Sequence, residues 1–363
     1  MKSNIIKAFS LGLTAFALVL SSCRKNEPIV PNPDNKNGQP KETKVDEITK
    51  VRITLSNGHL HGAKDFHYVP SGGTFTYRNI YDRQEYTFVK DGDKWVLSND
   101  APYRDFIGYQ VQQYDPKDAT SAAPDYGAII YLYNAKGEVI NDQYASEANR
   151  SNYQFFFYPT EAKDFDGKSI SIDTNNPTNI LKYVYCDTNV WNKSANKSPK
   201  DANGNKLYYF LKSTEPIGIK GYFQWATISQ FTLNVDLWYS PKGKLENGKA
   251  SPFYAPNSTI KSGKQLLHMS LPINVYASKD FQDDVVSAIQ ADYDRRVGEA
   301  TTDEEKEKVK PEALPLSKLS DEYKVLAQRI VKLLGAKDWE TVSLDFYRYF
   351  KVYKHNNDPE GYF

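Results

Sequence analysis

Apolar and polar residues alternate one by one in several segments between residues 48 and 278. Such a period of two indicates β-strands that bury one face. The clearest segments are Val51–Leu55, Phe231–Trp238 and Leu267–Tyr276. We therefore predict a mainly β (α+β) fold. Its antiparallel β-sandwich-like body would cover residues 48–278, either as one unit or as two sandwiches that divide near residues 160–176.

Turn-forming residues separate these segments. Asn57-Gly58, Asp91-Gly92 and Asn203-Gly204 are typical of tight hairpin turns, whose central residues favour positive φ angles. Pro272 has no amide hydrogen to give to a neighbouring strand, so we expect it at a sheet edge or a bulge. Hairpins at these positions predict that neighbouring strands run antiparallel.

The spacing of apolar residues lengthens to four in the last part of the chain. Phe281, Val285 and Ile289 predict an amphipathic helix that begins near Ser278 or Asp280. We expect this helix to pack its apolar face on the β body.

A second helix is predicted further along the same segment, residues 279–363. Ser320 can cap its first turn, and Gly335 can end it. The chain after Trp339 fits either a terminal strand or a terminal helix, and the alternation from Val342 onward favours the strand. The C-terminal segment is therefore expected to contain two helices and one further element.

The first 22 residues have the features of a secretory signal peptide. Lys2 and Lys7 supply a positively charged start, and an apolar run extends from Ala8 to Leu20. This run is shorter than the stretch of about 20 apolar residues that a membrane-spanning helix needs. We therefore predict a signal peptide over residues 1–22.

The tetrapeptide Leu20-Ser21-Ser22-Cys23 closes this segment. It resembles the lipobox of bacterial lipoproteins, in which the cysteine is acylated, palmitate being one such chain, and becomes the first residue of the mature protein. Several acyl chains together anchor a protein stably. Arg24 follows where Gram-negative lipoproteins kept in the inner membrane have Asp. The resemblance thus implies lipidation of Cys23 and an outer-membrane location, with the cell surface favoured over the periplasmic face.

Residues 23–47 contain four prolines and no aromatic side chain. A segment of this composition cannot offset its ordering entropy by burying apolar surface. We predict a disordered tether that holds the body away from the membrane.

Charge and composition narrow the classes of partner. The 46 basic and 45 acidic side chains give a net charge of +1. The chain therefore has no excess of positive charge that could neutralise the phosphates of a nucleic acid. We therefore expect no nucleic-acid partner.

The aromatic, Asn-rich and Lys-rich body is similar in composition to surface lipoproteins that accompany nutrient-uptake receptors. This likeness implies an outer-membrane uptake receptor as a partner.

The remaining cysteine is expected to be structural. Once Cys23 is acylated, only Cys186 is left, so no intramolecular disulfide is expected. The apolar neighbours of Cys186 predict a buried small side chain.

Three of the five histidines, His59, His61 and His67, lie within nine residues. If Asn57-Gly58 closes a two-residue hairpin, His59 and His61 share the polar face of the sheet with Thr54, while Leu60 turns to the core. Two imidazoles on one strand face suit a zinc or copper ion or the iron of haem, and His67 or Asp65 could complete the site. We expect His59, His61 and His67 to be the metal or haem ligands.

A rival interpretation rests on the aromatic residues, which make up 14% of the chain. Trp238 is predicted on the polar side of its strand, and exposed aromatic faces stack on sugar rings. Trp238 is therefore a candidate ligand-binding residue of a glycan-binding lipoprotein.

No local catalytic motif is visible in the chain. Gly-x-Ser-x-Gly, His-Glu-x-x-His, Cys-x-x-Cys and phosphate-loop patterns are all missing. A protein without enzymatic activity that binds a ligand or a receptor is favoured. A hydrolase with dispersed carboxylates and a structural adhesin or surface subunit stay open as alternatives.

Overall fold

The computed structural model describes residues 43–60, 64, 66–68, 74–111 and 124–352. These residues form eleven strands in two sheets and six α-helices. The described residues belong to one compact unit. The strands are β1 (Lys50–Leu60), β2 (Phe66–Tyr68), β3 (Arg83–Asp91), β4 (Lys94–Leu97), β5 (Phe106–Gln110), β6 (Pro124–Tyr133), β7 (Tyr153–Lys163), β8 (Leu181–Tyr185), β9 (Lys220–Trp225), β10 (Ser229–Tyr239) and β11 (Lys264–Ser278). The helices are α1 (Asn141–Ala145), α2 (Ser258–Lys261), α3 (Lys279–Glu299), α4 (Asp303–Lys308), α5 (Asp321–Leu334) and α6 (Trp339–Val352).

The strands form a seven-stranded and a four-stranded sheet. The first sheet has the order β4-β3-β1-β6-β9-β8, with β2 beside the end of β1, and the second has the order β5-β11-β10-β7. Within the described residues every strand pair is antiparallel except β5 with β11, which is parallel. Strands from before and after residues 160–176 take part in both sheets. The predicted mainly β fold with predominantly antiparallel sheets is confirmed.

One apolar core lies between the two sheets. Alternate residues of β1, such as Ile53 and Leu55, share this core with Leu233 and Val235 of β10. Backbone hydrogen bonds also join the sheets at their margins, where the Val111 amide donates to the Trp225 carbonyl at 3.0 Å. The two sheets therefore curl around a common interior.

Two of the predicted turn features agree with the structure. The hairpin between β3 and β4 forms where predicted, but its turn residues are Gly92, with a φ of 59°, and Asp93, because Asp91 still pairs with Lys94. Pro272 lies opposite Thr232 of β10, one residue before β5 begins to pair at Ile273. β11 is thus paired on one side only at Pro272, which accommodates the missing amide hydrogen.

The C-terminal helices pack on the body as predicted. Helix α3 follows Ser278, and α5 is capped by Ser320, whose Oγ accepts a hydrogen bond from the Tyr323 amide at 3.2 Å. Gly335 ends α5 with a φ of 62°. The Arg329 guanidinium donates to the Tyr276 carbonyl at 2.7 Å and so ties α5 to β11.

The last described element is a helix, and the strand that the alternation favoured is wrong. Asp338 accepts a hydrogen bond from the Thr341 amide at 2.9 Å and caps the first turn of α6. The buried side chains Val342 and Phe346 follow at a spacing of four. Phe346 packs against Phe281 of α3, with ring centroids 6.2 Å apart, so helical packing decides the conformation.

Candidate functional site

Strand β1 runs straight through Asn57-Gly58, where the sequence predicts a hairpin. Asn57 is buried, accepting a 2.7 Å hydrogen bond from the Tyr109 hydroxyl and donating to Tyr349 at 3.2 Å. A Cβ atom on Gly58 would lie only 2.2 Å from the His67 carbonyl oxygen, so glycine is needed here for close approach of β2. The predicted turn at this dipeptide is therefore wrong.

Loss of the turn reverses the faces of the residues that follow. His59 lies on the same face of β1 as the core residue Leu55, because the register with β6 is continuous. Leu60 lies on the opposite face and joins a small apolar cluster with Phe66 and Cys186. The predicted placement of His59 on the polar face is thus corrected, whereas the predicted burial of Cys186 is confirmed.

The structure brings His59 and His67 together. They are directly opposite each other in the β1–β2 pair, with ring centroids 5.1 Å apart and planes nearly perpendicular. Their exposed fractions are 6% and 1%. His61, Asp65 and Cys23 lie outside the described residues. Within the described part of the chain, no group of three or more His, Cys, Asp or Glu side chains could hold a metal ion. The metal site at His59, His61 and His67 stays a prediction.

Trp238 lies on the outer face of β10, as predicted, and is half-buried. Its indole nitrogen is inaccessible to solvent and has no hydrogen-bond partner within the described structure. On the same face of the second sheet, the outward positions of β10 and β11 carry polar side chains except at Pro272. Trp238 therefore lies at the end of a row of outward-facing cross-strand pairs, which we call the polar ladder and which includes Asn234–Ser270 and Asp236–His268.

Two neighbouring cross-strand pairs, or rungs, of this ladder contain Asp236, His268 and Ser270, which we call the Asp–His–Ser group. In the register of β10 and β11, Asp236 is opposite His268 and Asn234 is opposite Ser270. The Asp236 Oδ1 lies 2.6 Å from His268 Nδ1, and His268 Nε2 lies 3.5 Å from Ser270 Oγ. Ser270 Oγ also donates to Asn234 Oδ1 at 2.9 Å.

Asp236 fixes the orientation of this group. Its carboxyl is 9% exposed, whereas the His268 side chain is 51% exposed. The Tyr158 hydroxyl donates to Asp236 at 3.3 Å, and burial together with that carboxylate raises the pKa of Tyr158 to about 12. Tyr158 therefore keeps its proton as a donor. An imidazole that donates Nδ1–H to Asp236 presents its Nε2 as an acceptor.

A cleft of about 480 Å³, which we call the bulge cleft, lies further along the same two strands and is not lined by the Asp–His–Ser group itself. The pair Thr232 and Pro272, which lines it, is the next rung of the ladder beyond Asn234 and Ser270. Glu161, also in its wall, has a φ of 57° at an irregularity in the pairing of β7. A backbone conformation of this kind costs free energy in a residue with a side chain, and such residues cluster at functional sites.

A second cleft, of about 700 Å³, lies where the chain enters the body, and we call it the aromatic cleft. Residues 43–48 form one wall. The predicted tether covers residues 23–47, but its last residues pack on the body, because Asn149 and Tyr144 bind their backbone. Glu47 and Lys90 form a 2.8 Å ion pair in the wall. The aromatic side chains of the lining are Trp95, Tyr144, Tyr153 and Tyr239.

Neither the Asp–His–Ser group nor the aromatic cleft was predicted from the sequence. His268 and Ser270 alternate in one strand and Asp236 lies in another, so their proximity depends on the β10–β11 register. The only signal in the sequence was the run of polar residues on the exposed side of these two strands.

Comparison of the chain with protein families, with curated proteins and with solved structures finds no match. Among the residues that the structure describes, no helix is both long enough and apolar enough to cross a bilayer.

Proposed function

We propose that the chain is a lipid-anchored outer-membrane protein whose aromatic cleft binds a glycan. The observation that carries this proposal is the combination, in one cleft of about 700 Å³, of four aromatic side chains with charged and amide groups. Ligand pockets of about 300–1,000 Å³ with a few placed polar groups are typical of small-molecule sites.

The chemistry of the lining suits a sugar. The half-buried rings of Trp95 and Tyr239 offer flat apolar surface to the C–H faces of a sugar ring. Lys264, Gln265 and Glu47 in the same lining offer donors and acceptors for hydroxyl groups. Apolar ring surface beside hydrogen-bonding groups favours a neutral, polyhydroxylated ligand over an apolar one.

The surrounding hydrogen bonds support a preformed cleft. Tyr153 packs against Tyr144 and Tyr239, with ring centroids 4.9 and 5.0 Å away. The Tyr144 hydroxyl donates to the Asp46 carbonyl at 2.8 Å, which fixes the wall formed by residues 43–48. A cleft held in this way loses little conformational entropy when a ligand binds.

The test is binding of a panel of soluble oligosaccharides to the chain with Cys23→Ser, followed by calorimetry of any ligand found. We expect Trp95→Ala and Tyr239→Ala each to weaken binding about tenfold or more, since buried aromatic contacts dominate such sites. Val96→Ala is the matched control, because Val96 is exposed and adjacent to Trp95 in β4. Loss of binding with Trp238→Ala alone would move the site to the outer face of the second sheet, and an unresponsive panel would refute the proposal.

The membrane anchor is tested separately. We expect metabolic labelling with palmitate in a Gram-negative host to label the wild-type chain and not Cys23→Ala. Membrane fractionation should place the labelled chain in the outer membrane, and protease treatment of intact cells distinguishes the cell surface from the periplasmic face. A labelled Cys23→Ala chain would contradict the anchor.

A transition metal or haem held by His59, His61 and His67 is a second candidate, favoured by the directly opposed rings of His59 and His67. We expect zinc, copper or haem titration to detect one site that His59→Ala removes. His268→Ala is the control, since it removes an exposed histidine on the other sheet. Equal binding by both variants would eliminate this candidate.

A further inference from the structure

We propose that Asp236, His268 and Ser270 form a nucleophilic relay that hydrolyses carboxylic esters on the outer face of the second sheet. The relay does not depend on the aromatic cleft or on the histidines of β1 and β2. It would give the protein an activity in addition to glycan binding.

The distances place each group in reach of its neighbour. Asp236 is the positioning residue, because its 2.6 Å contact with Nδ1 holds the imidazole and stabilises it when it takes up a second proton. His268 Nε2 is the base, 3.5 Å from the Ser270 hydroxyl. Contacts between nucleophile and base are commonly this long before substrate binds.

The fold holds Asp236 and its neighbour Asn234 firmly. Asp236 and Asn234 are buried on β10 between β7 and β11, so their carboxyl and amide groups cannot move far. Asn234 Oδ1 binds the Ser270 hydroxyl at 2.9 Å, and its Nδ2 donates to Thr160 at 2.9 Å. Because the same Ser270 Oγ lies within reach of both Asn234 Oδ1 and His268 Nε2, its hydroxyl hydrogen can turn from the amide to the imidazole without movement of the oxygen.

The reaction balances with water as its co-reactant. Ser270 Oγ attacks the ester carbonyl carbon while its proton passes to His268 Nε2, and a tetrahedral adduct forms. The C–O bond to the alcohol then breaks, and the alcohol leaves with the proton from His268. Water, deprotonated by His268, attacks the acyl-serine in the same way and releases the carboxylic acid, which restores Ser270.

The bulge cleft indicates the class of ester. It lies one rung from Ser270 and carries the side chains of Glu161, Lys163 and Gln230, together with Asn274. Polar groups of this kind suit a hydroxylated alcohol portion. His268 and Ser270 are exposed, which leaves room for a short acyl group. The substrate class is therefore a short-chain ester of a polar alcohol.

The first test uses the wild-type mature chain and needs no variant. We expect a fluorophosphonate probe to label the protein and mass spectrometry to place the label on Ser270. A serine outside such a relay reacts far more slowly because its hydroxyl is not activated. The absence of label on Ser270 at millimolar probe would overturn the proposal.

The second test follows hydrolysis of 4-nitrophenyl acetate. We expect Ser270→Ala and His268→Ala to lower kcat/KM about 100-fold, in the range of general-base catalysis. Ser262→Ala is the matched control, because Ser262 is also an exposed serine but lies outside the relay. Equal rates for Ser270→Ala and wild type would show that the ester is cleaved elsewhere and would contradict the relay.

The role of Asp236 requires a readout that a merely structural residue would not change. We expect Asp236→Asn to lower the rate of fluorophosphonate labelling and kcat, with KM and the circular dichroism spectrum unchanged. A folded Asp236→Asn variant that labelled at the wild-type rate would show that Asp236 has a structural role only, and would contradict its part in the relay. Glycan binding should be normal in all these variants, so failure of the relay and failure of the glycan proposal can be told apart.

Discussion

Asp125, on strand β6 of the first sheet, is a fully buried carboxyl group. It lies on β6 opposite Gly58, and both of its carboxyl oxygens are inaccessible to solvent. Burial raises the pKa of Asp125 to about 8, and the nearby Gln224 amide and Lys182 charge oppose this only in part. The carboxyl therefore keeps its proton in the folded protein at neutral pH.

The raised pKa gives stability a definite pH dependence. Between about pH 4 and pH 8 the folded protein holds a proton on Asp125 that the unfolded chain has released, so the free energy of unfolding falls as pH rises. Asp125→Asn removes this dependence. We expect urea denaturation to show that the variant gains about 3 kcal/mol relative to wild type between pH 5 and pH 8. Asp100→Asn, in an exposed turn, should show no such gain, and a constant difference across this range would contradict the buried proton.

Asp187 illustrates the opposite case, a buried carboxylate with a full set of donors. Its two oxygens accept hydrogen bonds from four consecutive amides, Ile217 to Lys220, at 2.8–3.1 Å. We expect Asp187→Ala to cost about 3 kcal/mol of unfolding free energy, because four buried amide donors lose their acceptor. In the turn at Asp201 a carboxylate accepts two amide bonds near solvent, so the same denaturation assay should give a much smaller loss for Asp201→Ala. Equal losses would refute this explanation.

Individual residues could be predicted from the sequence where their role is local. The burial of Cys186 follows from its apolar neighbours, and the outward position of Trp238 follows from the alternation of its own strand. The contact of Asp236 with His268 could not be predicted, because it joins residues 32 positions apart through a strand register that no local pattern specifies.

At the scale of elements, Gly58 decides the path of β1. The dipeptide Asn57-Gly58 favours a turn locally, but Gly58 allows β2 to approach the strand where any side chain would meet the His67 carbonyl oxygen and the Phe66 ring. Tertiary contacts of Asn57 with Tyr109 and Tyr349 then outweigh the local preference. The sequence carries the turn signal, whereas the contacts that override it come from residues far along the chain.

Substitution of this glycine should disturb β1 and β2 together. We expect Gly58→Ala to lower the free energy of unfolding by about 2–3 kcal/mol, since backbone must move to make room for one methyl group. Gly298→Ala is the control, because a Cβ there, in α3, meets no atom within 4 Å and alanine favours helix. Thermal denaturation of both variants checks this. A neutral Gly58→Ala would show that β2 does not lie as close to β1 as described.

Helices were predicted well where their ends are marked. Ser320 and Gly335 bound α5 because an N-cap hydroxyl and a left-handed C-terminal glycine act within one turn. For α6 the strand was favoured over the helical alternative although Asp338 caps the helix, because Val342, Leu344 and Phe346 fit period two as well as helical spacing. Only packing against α3 distinguishes the two.

At the scale of the whole molecule, both sheets and the C-terminal helices share one core. Trp225 lies between the sheets, and Trp339 lies in α6 against Phe281. We expect a single unfolding transition, because no part of this core can be exposed alone without exposing its partner surfaces. Tryptophan fluorescence of Trp225→Phe and Trp339→Phe should give the same urea midpoint as far-ultraviolet circular dichroism. A fluorescence transition that depends on Trp339 and precedes loss of the β signal would contradict this.

The aromatic cleft has a mechanical consequence. Its wall of residues 43–48 is also the segment through which the body continues toward the N terminus, and three hydrogen bonds with Asn149 hold Thr43 in place. A pulling force applied from the N-terminal side would load these bonds before it reached β1. Tension in the chain would therefore open the cleft wall first, and a glycan bound there, as proposed, would be held less tightly under load.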